Sequence, residues 1–61
     1  MTVKELADRV SGDAMLIFYK DGCCIDASDA YNARTADHAF DEIEDWFGYC
    51  RRPTTFKVEL K

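Results

Sequence analysis

One stretch of the chain, residues 35–48, constrains the fold most, because it combines a helical period with a start signal and a stop signal. Its apolar residues recur at steps of three and four, the spacing of one helix face. These residues are Ala36, Ala39, Phe40, Ile43, Trp46 and Phe47. Thr35 can cap the start of a helix, and Gly48 suits the left-handed position after its end. The stretch therefore predicts an amphipathic helix with an acidic outer side.

A second, shorter helix is predicted at the start of the chain. Thr2 and Glu5 have the spacing of a capping box, in which each residue's side chain binds the other's backbone N–H. Residues 3–10 then repeat apolar side chains on one helical face. We expect a helix of about two turns, which is stabilised mainly by packing.

A β-hairpin is predicted next. Residues 14–20 form a dense apolar run, and Asp21-Gly22 follows as a strong signal for a type I′ turn. Residues 23–28 should return antiparallel. Both alternating sets of the first strand are apolar, so this strand needs cover on both faces. One set contains Met15, Ile17 and Tyr19, and the other contains Leu16 and Phe18.

The end of the chain predicts one more strand. Residues 29–34 fit either a loop or an early turn of helix capped by Ser28, and we favour the loop. Residues 49–53 are interpreted as a connection, since Pro53 cannot donate to a β-ladder. Residues 54–61 alternate between apolar and charged side chains, as in a half-buried strand. The inward set is Phe56, Val58 and Leu60.

These elements predict one α+β domain over residues 1–61, in the order α-β-β-α-β. A right-handed crossover through the acidic helix would bring the last strand beside the first and parallel to the second. The result is a three-stranded mixed sheet of order 2-1-3 with both helices packed on one face. The other face would be left open as an interface, and we take Leu16 and Phe18 as its candidate residues.

The charge of the chain indicates which classes of partner it can bind. The net charge is −4, which disfavours nucleic-acid binding because such binding depends on neutralising phosphates. All but one of the 12 acidic residues precede Trp46, and half of the 8 basic residues follow it. No apolar run is long enough to span a membrane, and no signal peptide is recognisable. We therefore expect a cytoplasmic protein that binds another protein or itself.

Cysteine and histidine give no recognisable reactive site. Cys23, Cys24 and Cys50 lack disulfide or zinc-site spacing, and one of the neighbouring pair is expected to be buried. A cysteine–His38 pair lacks a recognisable orienting group, and no phosphate-binding motif is present. We expect no enzyme activity, no metal and no cofactor.

The opening of the chain resembles a type of small uncharacterised bacterial and prophage protein. The residues that carry this resemblance are the segment TVKEL at 2–6, Gly12-Asp13, Leu16 to Phe18, Asp21-Gly22 and Val58-Glu59-Leu60. The resemblance implies a similar fold and a mobile-element origin, and it transfers no functional residue.

The function hypotheses follow from these features. The first is a small acidic protein-interaction module that binds through the acidic helix, the open sheet face or both. Its candidate binding residues are Asp37, Asp41, Glu44, Asp45 and Tyr49. One alternative is an acidic mimic of nucleic acid that inhibits a host defence or transcription protein. The other is a homo-oligomer that completes its core across the sheet face. Nucleic-acid binding through Arg51, Arg52, Lys57 and Lys61 is the weakest hypothesis.

Overall fold

The computed structural model describes residues 1–49 and 52–61, and for residues 49 and 52–54 it describes the backbone alone. Within these residues the elements are α1 (Val3–Arg9), β1 (Met15–Lys20), β2 (Cys23–Asp29), α2 (Ala30–Ala33), β3 (Ile43–Tyr49) and β4 (Arg52–Leu60). The strands form one sheet in the order β2-β1-β4-β3. β1 is antiparallel to β2 and parallel to β4, and β3 is antiparallel to β4. The predicted α+β class is confirmed.

The first helix forms as its capping box predicts. The Glu5 N–H donates to the Thr2 hydroxyl over 3.3 Å, and the Glu5 carboxylate accepts the Thr2 N–H over 2.9 Å. The backbone bond from Thr2 holds the pKa of Glu5 below its usual value. The Lys4 N–H donates to the Ala39 carbonyl over 2.8 Å. The start of α1 is thereby joined to the segment that leads into β3.

The predicted hairpin is also confirmed. Asp21 and Gly22 have φ angles of 54° and 81°, and a type I′ turn needs positive values at both positions. Phe18 pairs with Asp26 and Tyr19 with Cys24, so β2 carries one extra residue at this point. That extra residue makes a β-bulge.

The predicted acidic helix over residues 35–48 is wrong. Residues 34–40 form turns and a bend, and most of the remaining stretch belongs to β3. The helix lies earlier, in α2, where we expected a loop. Asp29 caps α2 by accepting the Asn32 N–H over 3.1 Å and the Asn32 side-chain amide over 2.6 Å. These bonds, the side-chain bond first, lower the pKa of Asp29.

A bulge explains why a strand has the sequence period of a helix. Ile43 pairs with Leu60 and Asp45 pairs with Glu59, so Glu44 is an extra residue on β3. The extra residue puts Ile43 and Trp46 on the same face at a spacing of three, whereas a regular strand repeats every two residues. A step of three is also a helical step. The sequence period therefore has two structural interpretations.

The additional strand also corrects the predicted topology. β4 lies beside β1 as expected, but the sheet has four strands in place of three. We expected the last strand to be parallel to β2, whereas it is parallel to β1. The reason is that β3 reverses the chain direction once more before β4 begins. The predicted connection at 49–53 is shorter, because β4 already begins at Arg52, and residues 50 and 51 lie outside the described residues.

The core lies on one face of the sheet, which we call the inner face. Side chains of both helices join sheet residues there in one buried cluster. The sheet contributes Leu16, Phe18, Ile43, Val58 and Leu60, and the helices contribute Val3, Leu6, Ala7, Ala30 and Ala33. The inward set predicted for β4 is confirmed, with Phe56 half-buried and the other two members buried.

Candidate interaction face

The opposite side of the sheet carries the side chains that alternate with the core residues, and we call it the outer face. Its members on the three strands β1, β4 and β3 are Met15, Ile17, Tyr19, Thr55, Lys57, Glu59, Asp45 and Phe47. Both helices pack on the inner face. The outer face is therefore the side of the sheet that α1 and α2 leave uncovered.

Lys57 lies at the centre of this face. It pairs with Ile17 on one side and with Phe47 on the other, so these three residues form a row across the sheet. Its Nζ lies 4.6 Å from the ring centroid of Tyr19 and 5.6 Å from that of Phe47. A cation over an aromatic ring is attracted by the ring's negative face. Lys57 therefore links aromatic side chains of β1 and β3 across β4.

Apolar side chains surround this lysine and remain open to solvent. Met15 is 41% exposed and Phe47 is 47% exposed, while Ile17 and Tyr19 are half-buried by their neighbours on the sheet. Single exposed apolar residues are common on proteins, whereas a contiguous group on one face of a sheet is a candidate interaction surface.

The outer face carries both signs of charge. The Lys57 Nζ lies 3.8 Å from a Glu59 carboxylate oxygen. Glu59 pairs with Asp45 on the edge strand, so two carboxylates lie in the row next to the lysine. This ion pair is solvent-accessible and contributes little to stability, about 0–1 kcal/mol.

The two sheet residues that we expected to form the interface are on the other side. Leu16 is 0% exposed and Phe18 is 1% exposed, because both lie beneath the helices. The alternate set of the same strand, which includes Met15 and Ile17, faces outward. The sequence identified both sets, and only the position of the helices determines which of them is exposed.

The acidic candidate residues do not form one helical stripe. Asp37 is an exposed residue of the turns, and Asp41 follows the turns and accepts from the His38 ring, with 2.8 Å between Oδ2 and Nδ1. Glu44 is the exposed extra residue of the β3 bulge, and its neighbour Asp45 belongs to the outer face.

The last protein-binding candidate, Tyr49, is the final residue of β3, and its side chain is outside the described part of the structure. The same holds for the side chain of Arg52 and for all of Arg51. Of the proposed basic patch, Lys61 is exposed and Lys57 is the centre of the outer face.

His38 belongs to the cover of the inner face. Its ring centroid lies 5.4 Å from that of Phe18, with the rings tilted by 45°. Its Nδ1 contacts Asp41, and its Nε2 lies 3.7 Å from a carboxylate oxygen of Asp26. The imidazole thus contacts two carboxylates on the helical side of the sheet.

Two of the three cysteines are described, and both are free and exposed. The expectation that either Cys23 or Cys24 is buried is therefore wrong. Cys50 lies outside the described residues. Among residues 1–49 and 52–61, no group of three or more histidine, cysteine or carboxylate side chains is arranged to hold a metal ion.

Sequence reasoning missed the importance of Phe47 and Lys57. We expected Phe47 to face the core with Trp46, but Trp46 is 38% exposed and its ring lies 5.9 Å from that of Phe56. The run of aromatic residues from Trp46 onward was the available signal, because aromatic residues favour strands. The bulge at Glu44 hid the alternation that would have placed them.

The described part of the chain encloses no detectable cavity, and none of its helices has the length and apolar character needed to span a membrane. Comparison of the chain with family models, with curated proteins and with solved structures finds no match.

Proposed function

We propose that this chain is a small acidic, non-catalytic protein-interaction module that binds another protein through the outer face of its sheet. The observation that supports this most is the exposed apolar and aromatic group around Lys57, on the side that the helices leave uncovered. Exposed aromatic residues and methionine are enriched at the energetic centre of protein interfaces.

The outer face is suited to binding because its side chains project from an ordered backbone. They are presented by β1, β4 and β3, whose backbones are paired with each other. A surface that is already ordered loses less conformational entropy on association than a mobile loop does. A partner should therefore offer a matching flat apolar surface with a polar rim.

A second candidate function uses the same face. In a homodimer, a two-fold axis can set Lys57 of one copy against Glu59 or Asp45 of the other, so the face is able to match itself. The nucleic-acid-mimic hypothesis has less support, because its four carboxylates are distributed between turns and a strand. We therefore keep self-association as the alternative.

The compartment and the origin are also part of the proposal. Exposed free thiols at Cys23 and Cys24 suit a reducing compartment such as the cytoplasm. The resemblance of the opening segment supports a bacterial, phage or mobile-element source.

The experiment compares one outer-face variant with one matched control. Phe47→Lys places one charge on the outer face, at a side chain that is 47% exposed. Phe40→Lys makes the same change at a turn residue that is 79% exposed and lies outside the sheet. All three forms, including the native chain, are tagged and used to capture proteins from bacterial lysate, and their masses are measured by sedimentation equilibrium.

The proposal expects a captured protein that the outer-face variant loses and the Phe40 variant retains. A dimer with the same dependence, and no captured protein, would support the homodimer alternative. Capture that is unaffected by the outer-face variant would contradict both. Circular dichroism of each variant shows whether it remains folded.

A further inference from the structure

The sheet has two outer edges, one on β2 and one on β3, and the pairing fixes which backbone groups point outward from each. On the β2 side, the Ala30 N–H donates to the Ala14 carbonyl over 2.7 Å, so positions 14 and 30 are in phase with the hydrogen-bonded pairs of the ladder. Such pairs alternate along an antiparallel ladder. Ala27, which pairs with Ile17, is therefore in a non-hydrogen-bonded pair, and its N–H points away from β1.

The same reasoning applies to β3. The Lys61 N–H donates to the Glu42 carbonyl over 3.1 Å, so alternate residues of β4 from position 61 backward face β3. Val58 is not one of them, because it is an odd number of residues away from Lys61. Trp46 pairs with Val58, and its N–H therefore points away from the sheet.

Both outward amides are bonded by the preceding aspartate. The Ala27 N–H donates to Oδ1 of Asp26 over 2.8 Å, and the Trp46 N–H donates to Oδ1 of Asp45 over 2.8 Å. A carboxylate is a strong acceptor for a backbone amide. An incoming strand would have to displace this carboxylate before it could pair with the edge.

Other contacts also hinder the addition of a strand at these two edges. On β2, the Ser28 hydroxyl donates to the Asp29 carbonyl over 3.0 Å, and on β3 the Ile43 N–H donates to the Met1 carbonyl over 2.8 Å. Each edge strand also contains a bulge, which interrupts the regular row of donors and acceptors that another strand needs.

We propose that Asp26 and Asp45 close the two sheet edges against strand addition, and that removing the Asp45 carboxylate opens β3 to pairing with β3 of a second copy. Two identical edges can pair antiparallel about a two-fold axis, which gives the freed Trp46 N–H of each copy a backbone acceptor on the other. The Asp45 side chain also belongs to the outer face, so exchange at the Trp46 amide, which reports on the edge alone, separates this proposal from binding through that face.

The experiment separates the hydrogen bond from the charge. Asp45→Ala removes the acceptor, whereas Asp45→Asn removes the charge and keeps a side-chain oxygen in place. Glu44→Ala is the matched control, because it removes an equal charge from the neighbouring exposed residue of the same strand. Asp26→Ala and Asp26→Asn repeat the comparison on β2. Amide hydrogen exchange is measured by NMR at low concentration, and mass is measured by sedimentation velocity as concentration rises.

We expect the Trp46 amide of the native chain to be protected, and Asp45→Ala to speed its exchange by about tenfold or more. Asp45→Ala should also form dimers at concentrations where the native chain, Asp45→Asn and Glu44→Ala keep their mass. The Asp26 variants should behave in the same way at Ala27.

Three results would overturn the inference. One is unprotected Ala27 and Trp46 amides in the native chain, a measurement that needs no variant to fold. Another is assembly of Asp45→Asn or Glu44→Ala to the same extent as Asp45→Ala, which would make charge the cause. The third is an Asp45→Ala protein that keeps the exchange rates and mass of the native chain.

Discussion

The two faces of the sheet both carry apolar side chains, but those side chains lie in opposite environments. β1 carries side chains on both faces. Leu16 and Phe18 are at most 1% exposed on the inner face, whereas Met15 on the outer face is 41% exposed. Strand geometry determines which residues share a face, and the connections determine which face the helices cover. An apolar residue that the fold leaves open is a stronger indication of binding than an apolar residue of the core.

The largest expected effect comes from truncating matched phenylalanines on the two faces. Phe18→Ala should cost about 3–5 kcal/mol, because it leaves a cavity among buried side chains. That loss is comparable to the whole stability of a domain of this size, about 3–5 kcal/mol. Phe47→Ala should cost less than about 1 kcal/mol, because the ring is already 47% exposed.

Urea unfolding followed by circular dichroism measures both changes. The Phe18 variant should lack a cooperative transition, and the Phe47 variant should keep one with a similar midpoint. Equal losses at the two positions would mean that the outer face is covered as well as the inner face.

A smaller effect is expected at the cap of α1, the helix that helps to cover the inner face. Thr2→Ala removes the hydroxyl that accepts the Glu5 N–H and should cost about 1 kcal/mol. Thr2→Ser keeps the hydroxyl and serves as the control. Urea midpoints compare the three proteins. A Ser variant as unstable as the Ala variant would show that the hydroxyl is not the cause.

Replacing Lys57, the central lysine of the outer face, should lower the free energy of unfolding by less than the loss of the Thr2 cap. Lys57→Met keeps an unbranched side chain and removes the ammonium group from the Tyr19 and Phe47 rings, at a cost of about 0.5–1 kcal/mol. The part of this stability loss that comes from the aromatic contacts should be nearly independent of salt concentration. The part that comes from the ion pair with Glu59 should be smaller in high salt. A larger loss would mean that the ammonium group stabilises the fold by more than exposed cation–π contacts and a surface ion pair can.

The smallest expected effect is on acid stability. Glu5 and Asp29 have lowered pKa values in the folded chain, because each carboxylate accepts cap hydrogen bonds. Their stabilisation is present above the pKa of the unfolded chain and is lost as pH falls through the folded pKa. At neutral pH, Glu5→Gln should be less stable than the native chain. The difference in their free energies of unfolding should shrink as the pH falls through the pKa of Glu5 in the folded chain. A difference that grows on acidification would contradict this sign.

The sequence predicted those parts of the fold in which local chemistry decides the structure. The cap at Thr2, the turn at Asp21 and the alternation of the last strand are all confirmed, because each depends on neighbouring residues. The helix predicted over residues 35–48 is wrong because Glu44 adds one residue to β3. Ile43 and Trp46, which share a face of this strand, are then three residues apart, as on a helix. Such a bulge depends on pairing with β4, a contact between distant positions.

The candidate site was predicted less well than the fold. Sequence alternation separated Met15, Ile17 and Tyr19 from Leu16 and Phe18, and we chose the second set. The choice depended on where the helices pack, and the actual second helix, α2, is only 4 residues long. Phe47 joined the outer face only through the unexpected strand. These contacts are tertiary and leave no periodic signal in the sequence.

The most direct test of the account is NMR of side-chain methyl groups in the presence of a soluble paramagnetic agent. We expect strong attenuation of the Met15 methyl signal, intermediate attenuation for Ile17, and little for Leu16 and Val58. Adding the captured partner, or raising the concentration if the chain dimerises, should protect Met15 and Ile17. Equal attenuation at all four residues, or protection of Met15 and Ile17 in the dilute monomer, would contradict an uncovered outer face.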